Sequence, residues 1–251
     1  MGPLKFSSLK SPYLIFIIEQ SLFLMEAVWT RFFPLSTYIR QHISSGALGP
    51  IHRVIADNSV AASAALSTTW SSGESRMVAP SLGGGALLDL GIYSITWLFQ
   101  ILYTTVPPSQ RQPPTVLGAG MKKFKKTGVD TQTSTLLTFR RPASGDGGAG
   151  EVKMEESHAI ATTSFHVSSV PSASTPPSSA TENSPSITIF GESGQLQVWG
   201  PIHRPTHTRL ILSRSEDLPE GRVEERDFSQ PVSKALAPLF TFLNSFLLFS
   251  N

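Results

Sequence analysis

Residues 83–102 read GGGALLDLGIYSITWLFQIL, three glycines followed by an almost continuous apolar stretch. Glycine lets the backbone approach another group closely, and the apolar residues after it have the composition of a buried helix. We therefore predict a helix over 86–102. Asp89 and Tyr93 are four residues apart on it, so they share one face and can reach the same bound molecule. The spacing alone also allows a plainer interpretation, in which Asp89 pairs locally and Tyr93 is an ordinary half-buried aromatic residue.

Strand-like segments dominate the chain on both sides of this helix, together with a second predicted helix over 35–43. In the strands apolar and polar residues alternate, as with Leu196 and Val198 opposite Gln195 and Gln197. The predicted strands are 51–60, 115–121, 133–140, 159–167, 186–190, 195–199 and 208–212. Consecutive strands without intervening helices indicate an antiparallel meander and not β–α–β units. We predict an α+β fold with a large, open, mostly antiparallel sheet and helices packed on one face.

Composition excludes several classes of protein. The 251 residues carry 20 Lys+Arg against 18 Asp+Glu, a net charge of +2. So small a charge, with 40% hydrophobic residues, argues against disorder of the whole chain and indicates no surface for nucleic acid. Cysteine is absent. Disulfide scaffolds, thiol catalysis and cysteine-ligated zinc are therefore excluded.

The two ends differ from the middle. We divide the chain into a divergent N-terminal segment (1–24), a main domain (25–233) with flexible loops near 142–150 and 168–185, and an apolar tail (234–251). The apolar run at 13–18 is too short for a signal peptide or a membrane span. Pro238 and Asn244 interrupt the tail. We expect no membrane partner and a cytoplasmic location.

Three other motifs carry no function in this interpretation. Residues 145–150 spell GxGxxG, but an extended segment follows instead of the helix that a dinucleotide site requires. The basic cluster KKFKK at 122–126 precedes a turn and is predicted to be a solvated hairpin end, so no nucleic-acid partner is expected. His203 and His207 have a helical metal-ligand spacing, yet the prolines around them prevent a helix. We expect no metal site.

Several segments together resemble one enzyme family. They are MEAVWTRFFP at 25–34, the glycine-led helix at 83–93, TGVD at 127–130 and ITIFG continuing to Gly-Pro over 187–201. This order of motifs resembles the glucose–fructose oxidoreductase/inositol dehydrogenase (Gfo/Idh/MocA) family. The resemblance extends over about residues 24–212 and is nearest to members that oxidise D-xylose or trans-dihydrodiols.

The resemblance implies an NADP-dependent dehydrogenase. Its reaction would be oxidation of an aldose (D-xylose to D-xylono-1,5-lactone) or of a trans-dihydrodiol. The main domain would be the C-terminal domain of the family, which binds the small sugar or diol substrate and forms a homodimer through the sheet face. Tyr93 would be the catalytic acid/base and Asp89 would contact substrate hydroxyls. Trp29 and Arg31 would line the sugar pocket; the cofactor-binding residues remain unknown.

The chain also departs from the family pattern. A nucleotide-binding domain needs on the order of 100 residues, whereas 24 precede Met25, and the family's Glu-Lys-Pro lysine has no counterpart. A free tyrosine ionises near pH 10, so a base at neutral pH needs a nearby cation of this kind. We therefore expect a truncated chain that binds NADP poorly and is impaired in catalysis. The alternative is a non-catalytic, dimerising sheet domain.

Overall fold

The computed structural model describes residues 16, 19–22, 28–142, 154–169 and 184–229. Across these ranges the backbone forms an eight-stranded sheet in the order β2-β3-β4-β1-β5-β6-β7-β8. The strands are β1 (Ile51–Asp57), β2 (Thr115–Lys123), β3 (Asp130–Pro142), β4 (Met154–Ser164), β5 (Ile187–Gly191), β6 (Gly194–Trp199), β7 (His207–Leu212) and β8 (Arg222–Asp227).

Two antiparallel runs flank a central strand. The β2-β3-β4 run and the β5-β6-β7-β8 run each pair consecutive neighbours. The first strand, β1, lies between them and pairs parallel to β4 and antiparallel to β5. The predicted α+β fold with a mostly antiparallel sheet is thus confirmed. The sequence did not indicate β8, because its residues, RVEERD, are almost all polar and lie at the exposed edge of the sheet.

The helices are α1 (Pro34–Ser44), the short α2 (Ser63–Ser67) and α3 (Ile92–Leu102). α1 and α3 pack on one face of the sheet. Proline at the first position of α1 suits a helix start, since that amide has no helical partner. A π-helical turn, Leu87–Gly91, leads into α3. The helices predicted over 35–43 and 86–102 are confirmed, although the second begins with this wider turn.

The core lies between these helices and the sheet. On the covered face, Val54 of β1 is in register with a row of buried side chains from both runs: Leu137, Ala159, Ile189, Leu196 and Leu210. From α3, Trp97 is fully buried and donates its indole N–H to the carbonyl oxygen of Ile202 at 2.9 Å. The alternation in the strands is therefore explained by one covered face.

The helical stretch Pro80–Leu102 is long and apolar enough to pass, by composition, as a membrane span. Half of its most apolar window is buried inside the domain. Its C-terminal part, α3, contacts β1 and β4. The apolar composition is accounted for by this packing on the sheet.

Several sequence predictions lie wholly or mostly outside the described residues. They concern the N-terminal segment 1–24, the loops near 142–150 and 168–185, and the tail 234–251. The GxGxxG motif at 145–150 belongs to the same group. The strands on either side of it, β3 and β4, pair antiparallel up to Pro142 and Met154. The motif thus joins two antiparallel neighbours, a context that differs from the strand–loop–helix unit of a dinucleotide site.

The buried row gives a test of the fold. Ile189→Ala should lower the free energy of unfolding by about 2–5 kcal/mol, because it leaves a cavity beneath α3 and α1. Val223→Ala on β8 removes a side chain that is 66% exposed. It should change the free energy of unfolding by no more than about 0.5 kcal/mol. Urea unfolding of the two variants measures the difference. Equal losses would contradict the assignment of the covered face.

Candidate functional site

The glycines before the helix allow a close approach of the backbone. A side chain on Gly84 would lie 2.7 Å from the backbone nitrogen of Ala79. Gly85 is buried and has φ of +130°, and a side chain there would collide with the carboxylate of Asp130. That carboxylate accepts the backbone N–H of Leu87 at 2.7 Å. The start of the helix is thereby held by a residue from the β2–β3 hairpin.

The helix is also bonded directly to β4. Gly91 faces Thr163, whose methyl carbon would be 3.2 Å from any side chain placed on the glycine. The Ser94 hydroxyl donates to the carbonyl oxygen of Thr162 at 3.0 Å, and the Asn58 amide donates to that of Leu90 at 3.0 Å. These contacts fix the rotation of the helix and, with it, the direction in which Tyr93 points.

Tyr93 meets Trp29 from the start of the described main domain. The indole Nε1–H of Trp29 donates to the Tyr93 hydroxyl oxygen at 3.2 Å, although the two residues are 64 positions apart. Both side chains are partly exposed. A tyrosine hydroxyl can accept and donate at once. With Trp29 as the donor, the Tyr93 O–H proton is left for a bound molecule.

His203 and Arg204 complete this cluster. The rings of His203 and Tyr93 are 5.5 Å apart, and the Arg204 guanidinium lies 4.7 Å from the centre of the Trp29 ring. Burial, and then the charge of Arg204, lower the pKa of His203, while Asp89 opposes this change. His203 is therefore neutral at pH 7. Its Nδ1 is buried without a hydrogen-bond partner in the described part of the chain.

Asp89 lies beside the same histidine but has a partner of its own. Its Oδ1 is 2.8 Å from Nη1 of Arg76, whose side chain is 71% exposed, whereas that of Asp89 is 21% exposed. An ion pair with so exposed a partner is weak and can be exchanged. Tyr93 contacts His203, and the charge of Asp89, four residues earlier on the same helix, acts on the pKa of this histidine.

Arg31 is placed differently from the other expected site residues. Its guanidinium lies over the ring of Phe32, at 5.5 Å, and its side chain is exposed. The structure brings Trp29 and Tyr93 together and places the His203 ring against Tyr93, while Asp89 pairs with Arg76. The role of Arg31 in a sugar pocket stays a prediction.

From the sequence, His203 and Arg204 were not recognisable as site residues. The spacing of His203 suggested only a metal pair with His207. In the structure His207 contacts Asp227, with Nδ1 2.8 Å from Oδ1, and His203 contacts Tyr93. Among the residues that the structure describes, no cluster of three potential metal ligands occurs. One feature of the sequence could have indicated His203 and Arg204: they follow β6, within the stretch that resembles the family.

The basic cluster at 122–126 ends a hairpin, as predicted. The backbone N–H of Phe124 donates to the carbonyl oxygen of Val129 at 2.7 Å, which closes the turn between β2 and β3. Phe124 packs on a second, smaller core that includes Phe165 and Leu66. The aromatic residue of the cluster is thus part of the hydrophobic packing.

Comparison with known proteins agrees with this fold. The profile of the GFO/IDH/MocA C-terminal domain matches residues 37–197. The chain is 36% identical over 198 residues to D-xylose 1-dehydrogenase (NADP(+)) of Hypocrea jecorina, covering 78% of this chain and 45% of that protein. It is 37% identical over 121 residues to trans-1,2-dihydrobenzene-1,2-diol dehydrogenase of Danio rerio, covering 48% of this chain and 31% of that one.

A solved structure supports the architecture. A 3-ketoreductase from Actinomadura kijaniata, in complex with NADP and TDP-benzene, superposes with a TM-score of 0.57 at 16% identity, covering 92% of this chain and 57% of that one. The chain spans less than half the length of the two curated relatives named above. The extent of the domain match, the fold and the two sequence relatives establish that the chain belongs to the GFO/IDH/MocA family.

Proposed function

We propose that this chain is the substrate-handling part of an NADP-dependent dehydrogenase that oxidises an aldose such as D-xylose, or a trans-dihydrodiol. The names of the two sequence relatives support the reaction class, and that of the D-xylose 1-dehydrogenase also supports the cofactor. The cluster of Trp29, Tyr93 and His203 supports the location of the site. The observation that carries the proposal is the hydrogen bond from the Trp29 indole to the Tyr93 hydroxyl oxygen.

This hydrogen bond prepares Tyr93 for proton transfer. Because Trp29 donates to the oxygen, it stabilises negative charge that develops there when the phenol loses its proton. The same donor fixes the direction of the remaining O–H. A substrate hydroxyl placed against Tyr93 would first accept this hydrogen bond. For oxidation, the phenol proton would have to leave to solvent, so that the Tyr93 oxygen could then take the proton of the substrate hydroxyl. The hydride from the same carbon would have to go to NADP⁺ held outside the described residues.

Asp89 provides the second contact with a polyhydroxylated substrate. A carboxylate accepts hydrogen bonds from two neighbouring hydroxyls, a common arrangement on sugars and diols. In the structure Arg76 occupies one oxygen. A substrate hydroxyl would replace this exposed arginine at little cost, since surface ion pairs contribute about 0–1 kcal/mol.

The described residues do not fit the dinucleotide itself. Phosphate groups of NADP are usually held where a glycine-rich loop starts a helix after a parallel strand. Among the described strands the parallel pair is β1 and β4, and β1 continues into Asn58–Ser59, both buried and bonded to β4 and to Ser169. NADP dependence is supported by the name of the D-xylose 1-dehydrogenase relative.

The open face of the sheet supports a homodimer as part of this proposal. On the face away from α1 and α3, Leu136, Ile160 and Ile55 are aligned in register across β3, β4 and β1. Beside them the Arg53 guanidinium lies over the ring of Phe190, at 4.3 Å. A row of apolar side chains on a sheet face that α1 and α3 leave uncovered is typical of a protein–protein contact.

The first prediction from this proposal concerns turnover. Joined to a nucleotide-binding domain of a relative, the chain should form NADPH from D-xylose or a trans-dihydrodiol. Tyr93→Phe should reduce kcat about a hundredfold or more, because it removes the group that takes the proton. Activity is followed by NADPH absorbance. Trp199→Phe, which alters an aromatic residue outside the cluster, serves as the control. Activity that is indifferent to Tyr93→Phe would contradict the site, and inactive wild-type protein would favour a non-catalytic dimerising domain.

The second prediction concerns binding by Asp89. Asp89→Asn should weaken the affinity for D-xylose about tenfold or more, since hydrogen bonds to a charged group contribute about 1.5–3 kcal/mol. Titration calorimetry on the chain measures this. Arg76→Gln should leave affinity the same or improve it, because the competing partner is removed. A loss of affinity in Arg76→Gln equal to that in Asp89→Asn would contradict the exchange described above.

The third prediction concerns assembly. We expect a dimer in sedimentation at micromolar concentration, and Ile160→Asp should convert it to a monomer because it places a charge in the apolar row. Leu82→Asp alters a side chain that is 64% exposed on the helix side, so it should leave the dimer intact. A wild-type monomer, or a dimer that persists in Ile160→Asp, would contradict this interface.

A further inference from the structure

Asp130 lies on the β2–β3 hairpin but makes its main contacts with the helix that carries the site. Its Oδ2 accepts the backbone N–H of Leu87 at 2.7 Å and the hydroxyl of Thr133 at 3.0 Å. Leu87 is 43 residues earlier in the chain. The carboxylate is half-buried, so both hydrogen bonds form in a partly desolvated environment.

This contact supplies a cap that the helix does not have locally. Neither Ala86, before the π-helical turn, nor Gly91, before α3, makes a side-chain cap hydrogen bond. The first amides of a helix have no partners within it, and a carboxylate is favoured there because it meets both the free N–H groups and the positive end of the helix dipole. Asp130 is thus a capping residue brought in by the tertiary fold.

The glycine run before the helix, at 83–85, leaves room for the same carboxylate. Gly85 is buried with φ of +130°, and the space where its side chain would lie is occupied by the Asp130 carboxylate. A residue with a side chain at this position would be strained in its backbone and would push Asp130 away from Leu87. The third glycine of the GGG run and the aspartate of TGVD are therefore complementary parts of one contact.

We infer that Asp130 is a positioning residue for the site: through Leu87 it sets the π-helical turn that contains Asp89 and ends two residues before Tyr93. Any shift of this turn moves the Tyr93 hydroxyl relative to Trp29, which comes from a separate part of the chain. The relevance of this positioning to substrate rests on the proposed function.

The experiment follows the Trp29 indole N–H by ¹⁵N NMR on the whole chain, with the signal assigned by its loss in Trp29→Phe. Tyr93→Phe removes the acceptor and sets the reference shift. Asp130→Ala should move the Trp29 signal by an amount comparable to that seen in Tyr93→Phe. Asp130→Asn, which keeps the shape and one acceptor oxygen, should move the Trp29 signal in the same direction but by less. This variant is used for the measurement if the alanine variant does not fold.

The matched control is Asp57→Ala. Asp57 also accepts two hydroxyl hydrogen bonds, from Ser59 and Thr162, at 2.7 and 2.6 Å, but does not contact the start of the helix. The Asp57→Ala substitution should leave the Trp29 signal at its wild-type position. An unmoved signal in folded Asp130→Asn and Asp130→Ala, or an equal movement in Asp57→Ala, would overturn the inference.

A second readout separates this inference from the proposed function. D-xylose added to the wild-type chain should shift the Trp29 signal, and Asp130→Asn should raise the concentration needed about tenfold. If wild-type protein shows no response to the sugar while Asp130→Asn still moves the Trp29 signal, the proposed substrate is wrong and the positioning role stands. If wild-type protein and Asp130→Asn bind the sugar at the same concentrations, and the Trp29 signal of Asp130→Asn without sugar coincides with that of the wild type, the positioning role is wrong.

Discussion

The close contact between the glycine-led helix and β4 determines where every other part of the site lies. At Gly91 the helix approaches Thr163 so closely that a single added carbon would be 3.2 Å away. The Ser94 hydroxyl bonds to the carbonyl oxygen of Thr162 from the next turn. Each such buried hydrogen bond contributes about 1 kcal/mol net, but leaving either partner unsatisfied costs about 1–3 kcal/mol. The helix consequently has one favourable rotation on the sheet, and Tyr93 has one direction.

The remaining site residues are tied to the same core by backbone carbonyls. The Thr30 hydroxyl donates to the carbonyl oxygen of His203 at 2.9 Å, and the buried Trp97 indole donates to that of Ile202. The segment next to Trp29 and the segment of His203 are therefore bonded to each other, and the second is bonded to α3. Three stretches far apart in sequence meet at Tyr93 because each is anchored to the framework a residue or two away from the functional side chain.

The sequence predicted those features that depend on local pattern. Alternation located seven strands, and the i, i+4 spacing placed Asp89 and Tyr93 on one side of a helix. Nonlocal features were not accessible in this way. The parallel pairing of β1 with β4 joins strands about 100 residues apart, β8 is too polar to show alternation, and the π-helical turn at 87–91 has no distinctive composition. Asp130 illustrates the same limit, since its partner Leu87 is 43 positions away.

The groups around Tyr93 act on its hydroxyl through one direct contact. The Trp29 indole N–H donates to the phenol oxygen, while the ring of His203 lies 5.5 Å from the phenol ring. Burial and the charge of Arg204 lower the pKa of His203, so this neighbour favours its neutral form. Asp89 forms an ion pair with Arg76. Among the described residues the position of Trp29 therefore has the most direct effect on the Tyr93 oxygen, and that position depends on the hydrogen bond by which the next residue, Thr30, is tied to the carbonyl oxygen of His203.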